Sequence, residues 1–336
     1  MQPIREWSGV DSESFRRDIA TRYEPAVLRG AVRDWPAVRR GLESPESFCG
    51  YIAAFDRGGE VDVLRMPPSA RGRIFYAENL NGFNFTRERA PISSVTRSIA
   101  KNAKLENPPG VVAQSALISE CLPGFAAENV LPLLDASVLA RIWLGNSVVT
   151  PAHFDESNNI ACVVSGRRRF TLFAPEQVSN LYVGPIGYAP TGTPISLVSF
   201  RNPDYARFPK FRQALEAALV AELEPGDALY IPTLWWHHVE SLDKCNALVN
   251  YWWRDTIGAS DKANSALNCL LHGLLDLKHL PPEQREAWRR LFDHYVFNPE
   301  PGMADHIPAQ KRGVLGPISP ELADQVRAFL VSQLKR

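Results

Sequence analysis

Between residues 140 and 253 the chain breaks into short apolar runs closed by glycine, proline or aspartate, and this rhythm restricts the fold more than anything else in it. Residues 141–145, 148–154, 160–164, 169–173, 228–231 and 245–253 all have strand lengths. Ser165-Gly166 is a bend between two of them, and Glu224-Pro225-Gly226-Asp227 is a second sharp turn. With 27 prolines and 21 glycines in 336 residues, turns are too frequent for a helical bundle. The expected architecture is mainly β, a double-sheet jelly roll.

The flanks read differently. Residues 208–223 are expected to form an amphipathic helix, with Phe211, Leu215, Ala218 and Leu219 at helical spacing. Upstream, strands are expected at 24–30, 60–65 and 111–117, with 73–76 pairing to 60–65. Short helices are expected from Ser12, from Trp35-Pro36 and over 92–99, and residues 122–134 should be a loop with one helical turn or more. These first residues should wrap the barrel. The tail is helical over 263–280, 282–295 and 320–334. The division that follows is a core domain over 1–258 and a C-terminal helical module over 259–336.

Lysine plus arginine equal aspartate plus glutamate at 37 each, so the chain has no general attraction to nucleic acid or an anionic membrane. No run is apolar and long enough to span a bilayer, and the N-terminus has no apolar core of a signal peptide. Cys49, Cys121, Cys162, Cys245 and Cys269 are scattered, as in a reduced, cytoplasmic protein.

Chemistry concentrates in Thr150-Pro151-Ala152-His153-Phe154-Asp155. Two residues apart on an extended strand, His153 and Asp155 share a face, and a buried carboxylate there needs a cation or donors. A further imidazole is available in Trp235-Trp236-His237-His238. His237 and His238 cannot both reach one point on an extended backbone, and the sequence does not choose between them. Two histidines and a carboxylate form the facial triad of non-haem Fe(II) oxygenases; a zinc hydrolase could use the same ligands. Arg167-Arg168-Arg169 follows the Gly166 turn as either a solvated hairpin or an anion clamp. Asn159 and Asn250 stand in apolar strands. Thr150, three residues before His153, faces the other side of a regular strand.

These motifs, with Gly226-Asp227-Ala228-Leu229-Tyr230-Ile231-Pro232, Asn202-Pro203-Asp204-Tyr205 and Asn250-Tyr251-Trp252, resemble the cupin-like JmjC family of Fe(II)/2-oxoglutarate-dependent oxygenases. The resemblance implies a double-stranded β-helix with surrounding helices, Fe(II), and the cosubstrates 2-oxoglutarate and dioxygen. It implies His153, Asp155 and His237 as metal ligands. It implies Thr150, Asn159, Arg168, Asn250 and Trp252 around 2-oxoglutarate, with Arg168 on the distal carboxylate. Two positions depart from a family member that hydroxylates asparagine in proteins. A carboxylate-holding tyrosine falls near Val112, and polar peptide-reading residues are replaced by Pro194-Ile195-Ser196-Leu197. The implied activity is hydroxylation of a protein or peptide side chain; the alternatives are a small-molecule hydroxylase and a non-enzymatic metal-binding protein. Trp236, Trp252, Tyr76, Phe83 and Phe85 are expected as an aromatic wall. A homodimer through residues 263–295 is expected from the leucine face of that stretch, with no nucleic-acid or membrane partner.

Overall fold

Apolar runs with nothing polar to expose need cover on both faces, and residues Asn158–Ser165 show the consequence: every one is buried. The computed structural model describes residues 1–255 and 266–334. The chain divides into two compact units, Met1–Trp253 and Arg254–Arg336.

In the first unit the strands are β1 (Gln2–Pro3), β2 (Glu6–Ser8), β3 (Ala26–Arg29), β4 (Glu60–Met66), β5 (Thr86–Pro91), β6 (Gly110–Leu117) and β7 (Ala140–Gly145). They continue with β8 (Val149–His153), β9 (Asn158–Ser165), β10 (Arg168–Phe173), β11 (Leu219–Leu223), β12 (Ala228–Ile231), β13 (Trp236–Ser241) and β14 (Asn246–Trp253). One sheet has the order β1-β11-β10-β13-β8, the other β2-β3-β12-β9-β14-β7-β6-β4-β5. From β7 to β14 the chain thus lays β8, β13, β10 and β11 in one sheet and β12, β9, β14 and β7 in the other, as a double-stranded β-helix does. The space between the sheets is filled by residues such as Val163, Phe170, Leu172, Leu229 and Trp235. On the outer face of the larger sheet, Phe48, Ile52, Val95 and Ile99 from two helices, Pro45–Phe55 and Ile92–Asn102, close a second apolar layer.

Two local expectations are corrected. The helix predicted to reach residue 223 spans Phe211–Ala217 and ends where Ala218 turns extended, with φ −69° and ψ 143°. Leu219–Leu223 is strand β11, paired antiparallel to β10 and parallel to β1. Its apolar spacing also satisfies a two-residue period, and the open edge of β10 offers backbone partners that a helix would leave unused. Residues 73–76 do not pair with β4. Arg73 bridges Val149 and Tyr76 bridges Phe83, while β4 lies between β5 and β6. Strand β5 was hidden by its charges, which suit an exposed sheet edge.

In the second unit, helices span Leu267–Asp276, Pro282–Phe292 and Pro320–Leu334. No residue of these helices is buried. The first residues of the expected 263–280 helix lie outside the described residues. All five cysteines are free thiols. Among the described residues no helix is long and apolar enough to cross a membrane.

Candidate metal centre and its pocket

Strand β8 runs antiparallel to β13 with His153 opposite His237. Asp155 lies just beyond the end of β8. Its carbonyl oxygen accepts from Leu234 N–H at 2.9 Å, which ties this loop to the turn before β13. The Nε2 of His237 lies 3.6 Å from Oδ2 of Asp155, and the two imidazole rings are 4.2 Å apart between centroids. One ligand atom from each of His153, Asp155 and His237 falls within 4.8 Å of the others, the spacing of a shared ion.

Both rings are fixed by the backbone. His153 Nδ1 is 2.9 Å from Pro151 O, and His237 Nδ1 is 3.0 Å from Trp235 O. A carbonyl only accepts, so each Nδ1 carries the hydrogen and each Nε2 keeps its lone pair. Burial, reinforced by the neighbouring His153, lowers the pKa of His237 to about 4, so the ring is a neutral donor at physiological pH.

The surrounding pocket brings together every residue expected there: Thr150, Asn159, Arg168, Asn250 and Trp252 join the three ligand candidates. Thr150 gets there through a bulge. From His153 to Thr150 is three steps along β8, matched by two steps from His237 to Val239 along β13. The extra residue restores Thr150 to the face of His153. Pro151, with no N–H to pair, sits within the irregular stretch.

Alternation sorts the three arginines. Arg167 and Arg169 point outward to Asp243 and Glu222, as a solvated hairpin would. Arg168 points inward and is 6% exposed. Its Nε has no hydrogen-bond partner, and among the described residues no carboxylate pairs with it. Burial lowers its pKa to about 10, so it remains a cation near neutrality. Asn159 Oδ1 and Trp252 Nε1 are likewise buried without partners. Asn250 Oδ1 accepts from Trp143 Nε1 at 3.2 Å. Trp143 is a pocket residue that the sequence reading missed; it belongs to β7, where its register opposite Leu248 of β14 was the only available signal.

Four of the five aromatic residues expected as a wall lie elsewhere. Trp236, next to His237 on β13, faces away and packs on Phe154. Tyr76, Phe83 and Phe85 stack with Tyr188 in a separate cluster, and none lines the metal pocket. Val112 also lies elsewhere, among Leu64, Met66, Ile74 and Val148. His238 leaves the opposite face of β13 and stacks on Phe200.

Residues 12–259 match the model of the cupin-like domain. The chain belongs to the cupin-like family. Its JmjC-type members are iron- and 2-oxoglutarate-dependent oxygenases, and the His153–Asp155–His237 cluster suits that chemistry. The cupin-like domain here is 29% identical over 271 residues to the bifunctional peptidase and (3S)-lysyl hydroxylase JMJD7 of Homo sapiens, covering 71% of this chain and 80% of that one. It is 34% identical over 281 residues to lysine-specific demethylase JMJ31 of Arabidopsis thaliana, covering 74% of this chain and 49% of that one. The tRNA wybutosine-synthesizing protein 5 of Gallus gallus is 27% identical over 306 residues, covering 84% of this chain and 90% of its own. The first curated relatives are longer proteins, of which the chain spans between 23% and 52%.

Proposed function

We propose that the protein is an Fe(II)- and 2-oxoglutarate-dependent dioxygenase that hydroxylates a protein or peptide side chain, with release of succinate and CO2. The observation that carries this reading is the pairing of opposite demands in one pocket. Two imidazoles and a carboxylate call for a divalent cation, while buried Arg168, lining the same pocket, calls for an anion. A dianion that binds the metal at one end and Arg168 at the other answers both. His153, Asp155 and His237 would hold the iron, leaving positions open as a facial triad does. The bound iron with 2-oxoglutarate and dioxygen supplies the oxidising chemistry.

The chain's own residues bind and orient. Arg168 takes the distal carboxylate through its planar fork. Thr150, Asn159 and Asn250 position the rest of the cosubstrate, with Trp252 as a wall that excludes water. A protein side chain is favoured as substrate because one relative is named a lysyl hydroxylase. A small molecule is the second reading, since Pro194-Ile195-Ser196-Leu197 offers little to read a peptide: Ser196 is buried and its hydroxyl bonds Leu181 O. A zinc peptidase on the same ligands would leave Arg168 without a task. We place the protein in the cytoplasm, as a homodimer through the leucine-bearing helices of the second unit.

The test is incubation with Fe(II), ascorbate, 2-oxoglutarate and whole-cell peptide, metabolite and tRNA fractions, with Asp155→Ala as control. The tRNA arm answers to the relative named for wybutosine synthesis. The expected product is a peptide heavier by one oxygen atom, absent with Asp155→Ala. Oxygenated products confined to metabolites or tRNA would end the protein-substrate reading. Succinate formation equal in both proteins would end the oxygenase reading.

A further inference from the structure

The sheet that carries the metal pocket on its inner face has a second cleft, of about 810 Å³, on its outer face. His238 and Ser241 of β13 line it. His238 is 4% exposed and its Nδ1 has no hydrogen-bond partner; Ser241 is 7% exposed and its Oγ has none. Unpaired buried polar atoms are uncommon in a folded chain. His238 faces the cleft with Glu240, whereas the Ser241 side chain, opposite Arg168 of β10, turns to the inner face and only borders the cleft. The ring of His238 lies flat on Phe200, with centroids 4.0 Å apart and planes 19° apart, so packing holds its orientation.

Arg73 enters the same cleft from the segment that bridges Val149. It is half-buried, its guanidinium rests 3.5 Å from the centre of the Phe75 ring, and it donates to Val198 O at 3.1 Å. Among the described residues no carboxylate forms an ion pair with it. Burial without a counter-ion lowers its pKa to about 10. Arg71 and Arg201 stand exposed at the rim. The lining holds one carboxylate, Glu240, which pairs with Arg169 at 3.9 Å. Arg71 and Arg201 are solvated, so Arg73 is the cation that calls for an anion here.

We propose that this cleft is a second ligand site, taking a small organic molecule through a phosphate or carboxylate group. Arg73 holds the oxyanion, Arg71 and Arg201 draw it in from the rim, and the His238–Phe200 stack forms the wall beside it. The volume is that of a small-molecule pocket rather than of a bare ion. The site is separate from the metal pocket: β13 turns His237 to one and His238 to the other.

Calorimetric titration of the full chain with inorganic phosphate at low ionic strength tests it. One phosphate is expected to bind with an affinity reduced about tenfold or more by Arg73→Met, the scale of a lost charge-assisted bond. A loss of about threefold is expected for Arg71→Met and for Arg201→Met, and none for Arg168→Met. Acetate and glucose 6-phosphate, titrated in the same way, distinguish a carboxylate from a phosphate monoester. No saturable binding, or a loss seen only in Arg168→Met, overturns the proposal. Should Arg73→Met not fold, unchanged affinity in both Arg71→Met and Arg201→Met overturns it as well.

Discussion

Arg168 shows how much one side chain's direction decides. Of three successive arginines it alone turns inward, because the Gly166 turn starts β10 with that residue on the pocket face. Flanked by outward ion pairs, it is a buried cation with no carboxylate partner among the described residues. Arg168→Met is expected to raise the dissociation constant for 2-oxoglutarate about 30-fold, or ~2 kcal/mol for a charge-assisted contact. Anaerobic equilibrium binding measures it, and an unchanged constant would put the carboxylate anchor elsewhere. The spacing of His153 and Asp155 made them candidates for one ion, a weak signal that needed the surrounding motifs. The choice of His237 over His238 was not; it needed the resemblance to the family.

At the scale of elements, the turn between β9 and β10 is built for one residue type. Gly166 has φ +67°, and a Cβ there would lie within 2.5 Å of Cys245 O and Asn246 Oδ1. Gly166→Ala is expected to cost about 2 kcal/mol or more, from the left-handed backbone and the displaced neighbours together, read from urea unfolding. The same turn is clamped by Asp243, whose carboxylate accepts from Arg167 N–H at 2.8 Å and from its guanidinium Nη2 at 3.1 Å. The Arg167 hydrogen bond holds the Asp243 carboxyl below the usual aspartate range. A lowered folded pKa contributes stability that is complete above the unfolded value of about 3.9 and is lost as pH falls through the folded value. Asp243→Asn should therefore lower stability near neutral pH and flatten the decline below about pH 4. A decline of undiminished slope would exclude Asp243 as a contributor. Strand β11 carries the opposite lesson. Leu219–Leu223 fits both a helical and an alternating pattern, and the free edge of β10 settled it.

For the whole molecule, the apolar face of Leu267–Asp276 is the open question of assembly. Leu270 is exposed at 51%, and Leu271 and Leu274 are half-buried, so none of the described residues covers this face fully. A second copy is the proposed cover, through a two-fold contact. Sedimentation should show a dimer for the natural chain and a monomer for Leu274→Arg. A dimer that survives the substitution would place the contact elsewhere.

The strand rhythm from 140 to 253 determined the jelly roll without any coordinates, because it depends on local period and residue type, and the His-x-Asp pair inside it marked a candidate metal site. Thr150 was placed in the pocket only by the β8 bulge, a mismatch between two strands more than eighty residues apart in sequence that neither strand records alone. The cleft behind β13 is of the same kind. Arg73, Arg201 and His238 come from separate stretches, and only the packed sheet brings them to one face. Local patterns state what each residue prefers; which distant residues meet, and which buried charges are left for a ligand to answer, is decided by tertiary pairing.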